Sequence, residues 1–324
     1  MRVITNELSE RKVSSEERKN DLLTIFSTPF TYRSEQEKRI ISVPEAKTLN
    51  EYQVIFARAG SDAIKLLVNY QKAQLAKKGI HWNCFVIEYG QKLIDELNRL
   101  LNIPLEIGAS YRVHLLVQQI SHFTNIDIKV TRHPSGNLLS IALFDAANSW
   151  QYKLALLPAL KSAKDNNSSI QHLYFTEADI QKDELTCPII SYLLAKNIRN
   201  IPDFHQLLAR VNPNDGLINW QVLPNALLKQ VQSFTFVDSL GDKKHLACNK
   251  KNEPLLAYLM RHQGFYANLQ PDKRRNFAAL DSYQKNAERL HQFISAIPAD
   301  EVAAMIDSGV TLKPAENTAK LNCK

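Results

Sequence analysis

No run of about 18 or more apolar residues occurs in this 324-residue sequence, so a membrane-spanning helix is not expected. The opening segment, "MRVITNELSERKVSSEERKN", lacks the apolar stretch of a secretory signal peptide, so export by the general route through an N-terminal signal is not expected either. Cysteine is scarce. The four present (Cys84, Cys187, Cys248, Cys323) form no C-x-x-C pair and no dense framework, which predicts thiols in a reducing compartment rather than disulfide staples. The nine histidines fall in neither H-E-x-x-H nor a Cys/His cluster at zinc spacing, so no metal is expected. Internal repeats and low-complexity tracts are also missing.

What is present begins with a hydrophobic content of 44%, enough to bury a core as one large domain or two modest ones. The formal net charge of +7 is uneven. Between Gly241 and Leu290 stand ten Lys or Arg (among them Lys243, Lys244, Lys250, Lys251, Lys273, Arg274 and Arg275) against five acids, an excess of +5. Such a region attracts phosphates, whether of nucleic acid, anionic lipid, a coenzyme or a polyphosphate. For any one of these residues a solvated surface is the simpler explanation. No nucleic-acid-reading motif accompanies the charge, so nucleic acid is not the expected partner.

Residues 1–38 are polar and mixed in charge, and read as a flexible leader with a short helix near Asp21–Ser27. Ala63, Ile64, Leu66, Leu67, Tyr70 and Leu75 have helical spacing, predicting a helix from Ala59 to Lys78 that Gly79 ends. A second helix is expected over Val86–Leu101. β-Branched and aromatic residues then predict strands at Arg112–Gln118, His122–Val130 and Leu138–Phe144, the last two joined by the turn "RHPSG". A helix over Gln151–Ala163, a strand at "IQHLYFTE", a helix over Pro188–Asn197 and a mainly helical remainder complete the pattern. The fold class is α/β (α+β), a central mixed sheet flanked by helices.

The stretch "DIQKDELTCPIISYLLAKNI" (179–198) sets one cysteine where a polar loop meets an apolar helix. Pro188 suits a first helical turn, which places Cys187 at the N-terminus, where backbone N–H groups and the helix dipole favour a thiolate. A lone cysteine there is more often packing than chemistry. A thiol nucleophile needs an imidazole to take its proton and a third group to orient the ring. His122 and Asp145 would lie at the same end of an antiparallel hairpin, and the amide of Gln181 is a candidate donor to an oxyanion. Each of these also has an ordinary reading as a strand histidine, a turn aspartate or a loop glutamine. Only the joint order His, Asp, Gln, Cys makes the catalytic one weigh more.

That order and its local contexts resemble the YopJ family of bacterial effector acetyltransferases, whose catalytic fold is shared with ubiquitin-like-protein-processing cysteine proteases. The likeness rests on "HF" with "ID" (His122, Phe123, Ile126, Asp127), on "LFDAAN", and most strongly on "DIQ", Cys187 and "LLAKNI". It extends to "SYRVHLL", "DKKHL" and "NKKNE", spanning roughly residues 85–260. The resemblance implies ping-pong acetyl transfer from acetyl-CoA through Cys187 to a Ser, Thr or Lys of a host signalling protein, with His122 as base and Asp145 fixing its tautomer. It also implies activation by inositol hexakisphosphate, with Arg112 near that ligand and Lys243, Lys244, Lys250, Lys251, Lys273, Arg274 and Arg275 as contacts chosen by charge alone. Delivery into the host-cell cytoplasm by a specialised secretion system is implied as well. So is a division into a leader (1–38), a catalytic core (39–235), a helical basic regulatory region (236–300) and a polar tail (301–324).

Three departures stand out. Pro188 follows the cysteine where the family usually has Gly, Asp238 stands where relatives carry a lysine that becomes acetylated, and His122 and Asp145 are 23 residues apart. The same triad also serves a protease acting on ubiquitin-like modifiers, and a degenerate relative would bind host proteins without catalysis.

Overall fold

This computed structural model describes residues 14–27, 46–119, 122–147, 149, 152–176, 180–181, 187–264, 275–276 and 278–307. Two helices come first, α1 (Ser15–Ser27) and α2 (Ala46–Ala76), followed by strand β1 (Cys84–Glu88) and helix α3 (Gln91–Asn102). Strands β2 (Ser110–Gln119), β3 (His122–His133) and β4 (Gly136–Phe144) come next. A π-helical turn over Tyr152–Leu156 leads into α4 (Leu157–Asn166), then β5 (Ile170–Phe175) and α5 (Cys187–Arg199). Helix α6 (Phe204–Val211), strand β6 (Gly216–Leu217) and the short helices α7 (Asn225–Leu228), α8 (Phe234–Ser239) and α9 (Leu255–Arg261) follow. The described chain ends with the two-residue strands β7 (Gln263–Gly264) and β8 (Arg275–Asn276) and helices α10 (Ala278–Ser295) and α11 (Ala299–Asp307).

The six-stranded sheet keeps chain order, β1 to β6; β2–β3 and β3–β4 are antiparallel and the other pairs parallel. It is therefore the mixed, helix-flanked sheet expected. Because strand side chains alternate, neighbouring residues feed different layers. Leu115, Ile126, Ile141 and Leu143 pack on α3 and α4 through Leu93, Leu97, Leu157 and Leu160. Leu116, Phe144 and Tyr174 belong to the larger core with α1, α2, α5 and the C-terminal helices. Helix α5 is buried along almost its whole length, from Cys187 to Ala195 and again at Ile198, which makes it the central helix of that layer.

The structure departs from the sequence expectations at three places. The helix expected over Val86–Leu101 divides: Cys84, Phe85, Val86 and Ile87 form part of an edge strand that is buried on both faces beside β2, and Gly90 at φ 114° turns the chain into α3. Within the expected leader, Ser15–Ser27 is a built-in helix. Its stripe of Leu22, Ile25 and Phe26 is buried against α2, α10 and α11, and Arg18 makes ion pairs with Asp62 and Asp307, each at 3.0 Å. At the other end α11 runs into the expected polar tail, burying Val302 and Ile306. In each case a short apolar segment gains its place from another element, β2 for β1 and neighbouring helices for α1 and α11.

Candidate active site

The β3–β4 hairpin pairs Asn125 with Phe144, so the chain leaving β4 comes alongside Thr124 and, two residues earlier, His122. Asp145 stands there fully buried, and all of its acceptors are occupied. His122 Nε2 lies 2.5 Å from Asp145 Oδ2, and Thr124 Oγ1 donates to the same oxygen at 2.8 Å. Asp145 Oδ1 accepts the backbone N–H groups of Ala147 (3.1 Å) and Ser149 (3.2 Å). Because a carboxylate only accepts, the Nε2 edge of His122 is the donor, and in the neutral ring that tautomer has its lone pair on Nδ1. A base with that lone pair turned away from its orienting acid is what removal of a thiol proton requires.

Cys187 begins α5, with Pro188 in the first turn, as the loop-to-helix boundary predicted. The helix is tied to β3 by Ser191, whose Oγ donates to the carbonyl of Phe123, the neighbour of His122, at 2.9 Å. Cys187 and Ser191 are one turn apart on the same helix face, which lays the first turn of α5 against the start of β3. Gln181 is buried in the same region: its backbone N–H and that of Ile180 both donate to the Ala146 carbonyl at 2.9 Å, and Gln232 N–H donates to the Ile180 carbonyl at 2.8 Å. The four residues picked from sequence thus converge on one end of the sheet.

The other described thiols are poor nucleophiles. Burial pushes the Cys84 thiol far above its ordinary range and that of Cys248 up to about 11, so neither is a thiolate near neutral pH. Cys323 lies outside the described residues. Among the described residues no group of His, Cys, Asp and Glu could hold a metal ion. A cavity of about 190 Å³ beside β1, lined by residues such as Lys65, Asn69, Lys92 and Asp307, contains none of the four residues.

With the site in place, comparison with known families is decisive: the family model described as YopJ Serine/Threonine acetyltransferase matches residues 56–290. The chain belongs to the YopJ acetyltransferase family. No curated protein matches it. The fold is that of solved family members. It resembles AvrA delL154 with IP6 and CoA (TM-score 0.53, 18% identity, covering 86% of this chain and 99% of that one). It also resembles HopZ1a with IP6 (0.53, 13%, 87% and 99%) and HopZ1a with IP6 and CoA (0.51, 14%, 86% and 98%).

For a YopJ-family chain the placement of cations matters. Arg112 is held in the protein by Asp127, which is fully buried: Nη2 donates at 2.5 Å and Nε at 2.9 Å, while Nη1 and Nη2 reach the carbonyls of Ile201 and Ile198 at the end of α5, each at 3.3 Å. Burial by itself would raise the Asp127 carboxyl, but His114, His205 and Arg112 hold it far below the usual carboxylate range. Lys243 donates to the carbonyls of Gln221 and Leu223, Lys244 pairs with Asp238 at 3.4 Å, and Lys250 and Lys251 are exposed in a turn. Lys273 and Arg274 lie outside the described residues, and Arg275 begins β8.

A second group of cations, not singled out in the sequence, meets around the C-terminal half of α5. Lys196 and Arg199 are one turn apart there, Lys229 follows α7, and Arg289 comes from α10; both α7 and α10 pack on α5. Burial, together with the positive charges of Arg199, Lys229 and Arg289, holds the Lys196 ammonium below its ordinary value. Lys196 and Arg199 were within reach of sequence reading as an i, i+3 pair following the cysteine. Arg289, 90 residues further along, became a neighbour only through folding.

Proposed function

We propose that this chain transfers acetyl from acetyl-CoA to a Ser, Thr or Lys side chain of a host signalling protein through an acetyl-Cys187 intermediate. The observation that carries this reading is the His122–Asp145 pair, which commits Nε2 to a buried carboxylate at the start of the strand to which Ser191 ties the Cys187 helix. In the first half, Cys187 Sγ attacks the thioester carbonyl, the bond from that carbon to the coenzyme sulfur breaks, and the thiol proton held by His122 leaves with the coenzyme. In the second half, the acceptor oxygen or nitrogen attacks the acetyl-cysteine carbonyl, His122 takes its proton, and Cys187 departs as thiolate. Gln181 is assigned as the donor to the oxyanion in both halves, and the tie of its backbone N–H to the Ala146 carbonyl, next to Asp145, supports that assignment. Pro188 has no N–H to offer, which throws more of that stabilisation onto Gln181 and the Cys187 N–H.

Inositol hexakisphosphate fits as activator. The group formed by Lys196, Arg199, Lys229 and Arg289 offers converging positive charge, and Arg112 stands at the same end of α5. Lys243, Lys244, Lys250, Lys251, Lys273, Arg274 and Arg275 are kept as secondary contacts. Delivery into a host cell, a catalytic core over 39–235 and a basic regulatory part over 236–300 belong to the same proposal, with the leader (1–38) and tail (301–324) each contributing a helix, α1 and α11, to the folded core. No described helix is long and apolar enough to cross a membrane.

The test is acetyl transfer into proteins of a eukaryotic lysate from labelled acetyl-CoA, with and without inositol hexakisphosphate, alongside ubiquitin-like suicide probes. Label that depends on Cys187 and on the inositol phosphate is expected. Reaction with the probes and no acetyl transfer would make the protein a protease.

A further inference from the structure

Helix α5 contains one buried serine, set in an apolar stretch between Ile190 and Tyr192. A serine inside a helix ordinarily satisfies its hydroxyl on the carbonyl four residues back, which here would be that of Cys187. Ser191 crosses to another element instead and donates to the Phe123 carbonyl of β3 at 2.9 Å. This directional bond joins the turn that begins with Cys187 to the residue next to His122. The far end of the helix is held separately, by Arg112 on the Ile198 and Ile201 carbonyls. The apolar contacts along α5 resist its removal from the sheet but are tolerant of rotation or sliding by a fraction of an ångström. A hydrogen bond of fixed length and angle is not. Thiol-to-imidazole proton transfer depends on such displacements, since an error of about 1 Å in a catalytic pair can cost about a hundredfold in rate.

We propose that Ser191 is a positioning residue whose hydroxyl sets the register between Cys187 and His122, and so the thiolate fraction of Cys187. The proposal rests on the Cys187–His122 reading above, and the experiment separates failure of one from failure of the other. The rate of alkylation of Cys187 by iodoacetamide is followed by peptide mass against pH in the full chain, which reports the thiolate without needing acetyl-CoA or an acceptor. In the wild type the rate should rise at a pH below that of an ordinary thiol, and His122→Ala should move the rise upward. Ser191→Ala should shift it up by on the order of one pH unit, and Ser191→Thr should restore the wild-type curve. If Ser191→Ala lowers thermal stability while its curve superimposes on the wild type and His122→Ala is shifted, Ser191 only packs and the proposal is overturned. If His122→Ala also leaves the curve unchanged, the proposal goes together with the pairing it rests on. Should Ser191→Ala not fold, the near-isosteric pair Ser191→Thr and Ser191→Val decides: a shift confined to Val supports the hydroxyl's role, and identical curves overturn it.

Discussion

Asp145 spends its acceptor capacity on four donors, and only one of them is His122, the proposed base. Thr124 and the two N–H groups of the following turn hold the carboxylate rigid, so that it in turn holds the ring. Asp145→Asn would offer His122 an amide in place of a full acceptor and permit the wrong tautomer, and turnover is expected to fall about 10³-fold with the fold retained. Steady-state acetyl transfer with circular dichroism on the same sample checks this. Thr124 was legible in principle, since a strand residue two after His122 shares its face, but nothing in composition marks a threonine as a carboxylate ligand. His114 behaves differently. Burial, helped by the positive charges of Arg112, His205 and Arg199 and opposed by Asp127, lowers its pKa to about 4, so the folded protein keeps it neutral while the unfolded chain binds a proton near pH 6.5. Between those values the unfolded state holds more protons, and stability is lost as pH falls. Urea unfolding at pH 7 and pH 5 should show a loss of up to about 2 kcal/mol from this group, and His114→Gln should flatten the slope.

At the scale of elements, the strands of the catalytic hairpin and α5 were readable because their signals are local: period-2 alternation around a Pro-Ser-Gly turn, and an apolar run opened by proline. Strand β1 was not, because "CFVI" buried on both faces has the same composition as a turn of buried helix, and only its pairing with β2 distinguishes them. Helix α1 was underestimated for a related reason. Its stripe of Leu22, Ile25 and Phe26 is short, and its worth depends on α2, α10 and α11, which lie far away in sequence. Ile25 is fully buried, so Ile25→Ala should destabilise the protein by about 2–4 kcal/mol in urea unfolding. A change within ±0.5 kcal/mol would mean that α1 is not docked in solution.

For the molecule as a whole, α5 connects the two proposed sites along one axis, with Cys187 at its first turn and Lys196 and Arg199 near its last. The charge excess between Gly241 and Leu290 was legible in the sequence, but which cations meet was not, because α5 and α7 fall outside that stretch. If the cluster is the activator site, inositol hexakisphosphate should raise the melting temperature by binding only the folded state, and added salt should weaken the effect. Lys196→Gln and Arg289→Gln should each weaken binding by about tenfold in calorimetry, and unchanged affinity in both would move the site elsewhere. The central claim is that Cys187 carries the acetyl group, and intact-protein mass tests it most directly. Wild type incubated with acetyl-CoA and inositol hexakisphosphate should gain one acetyl that hydroxylamine removes and peptide mapping places on Cys187, and Cys187→Ala should not. A thioester-stable gain of equal size in both proteins would contradict the account.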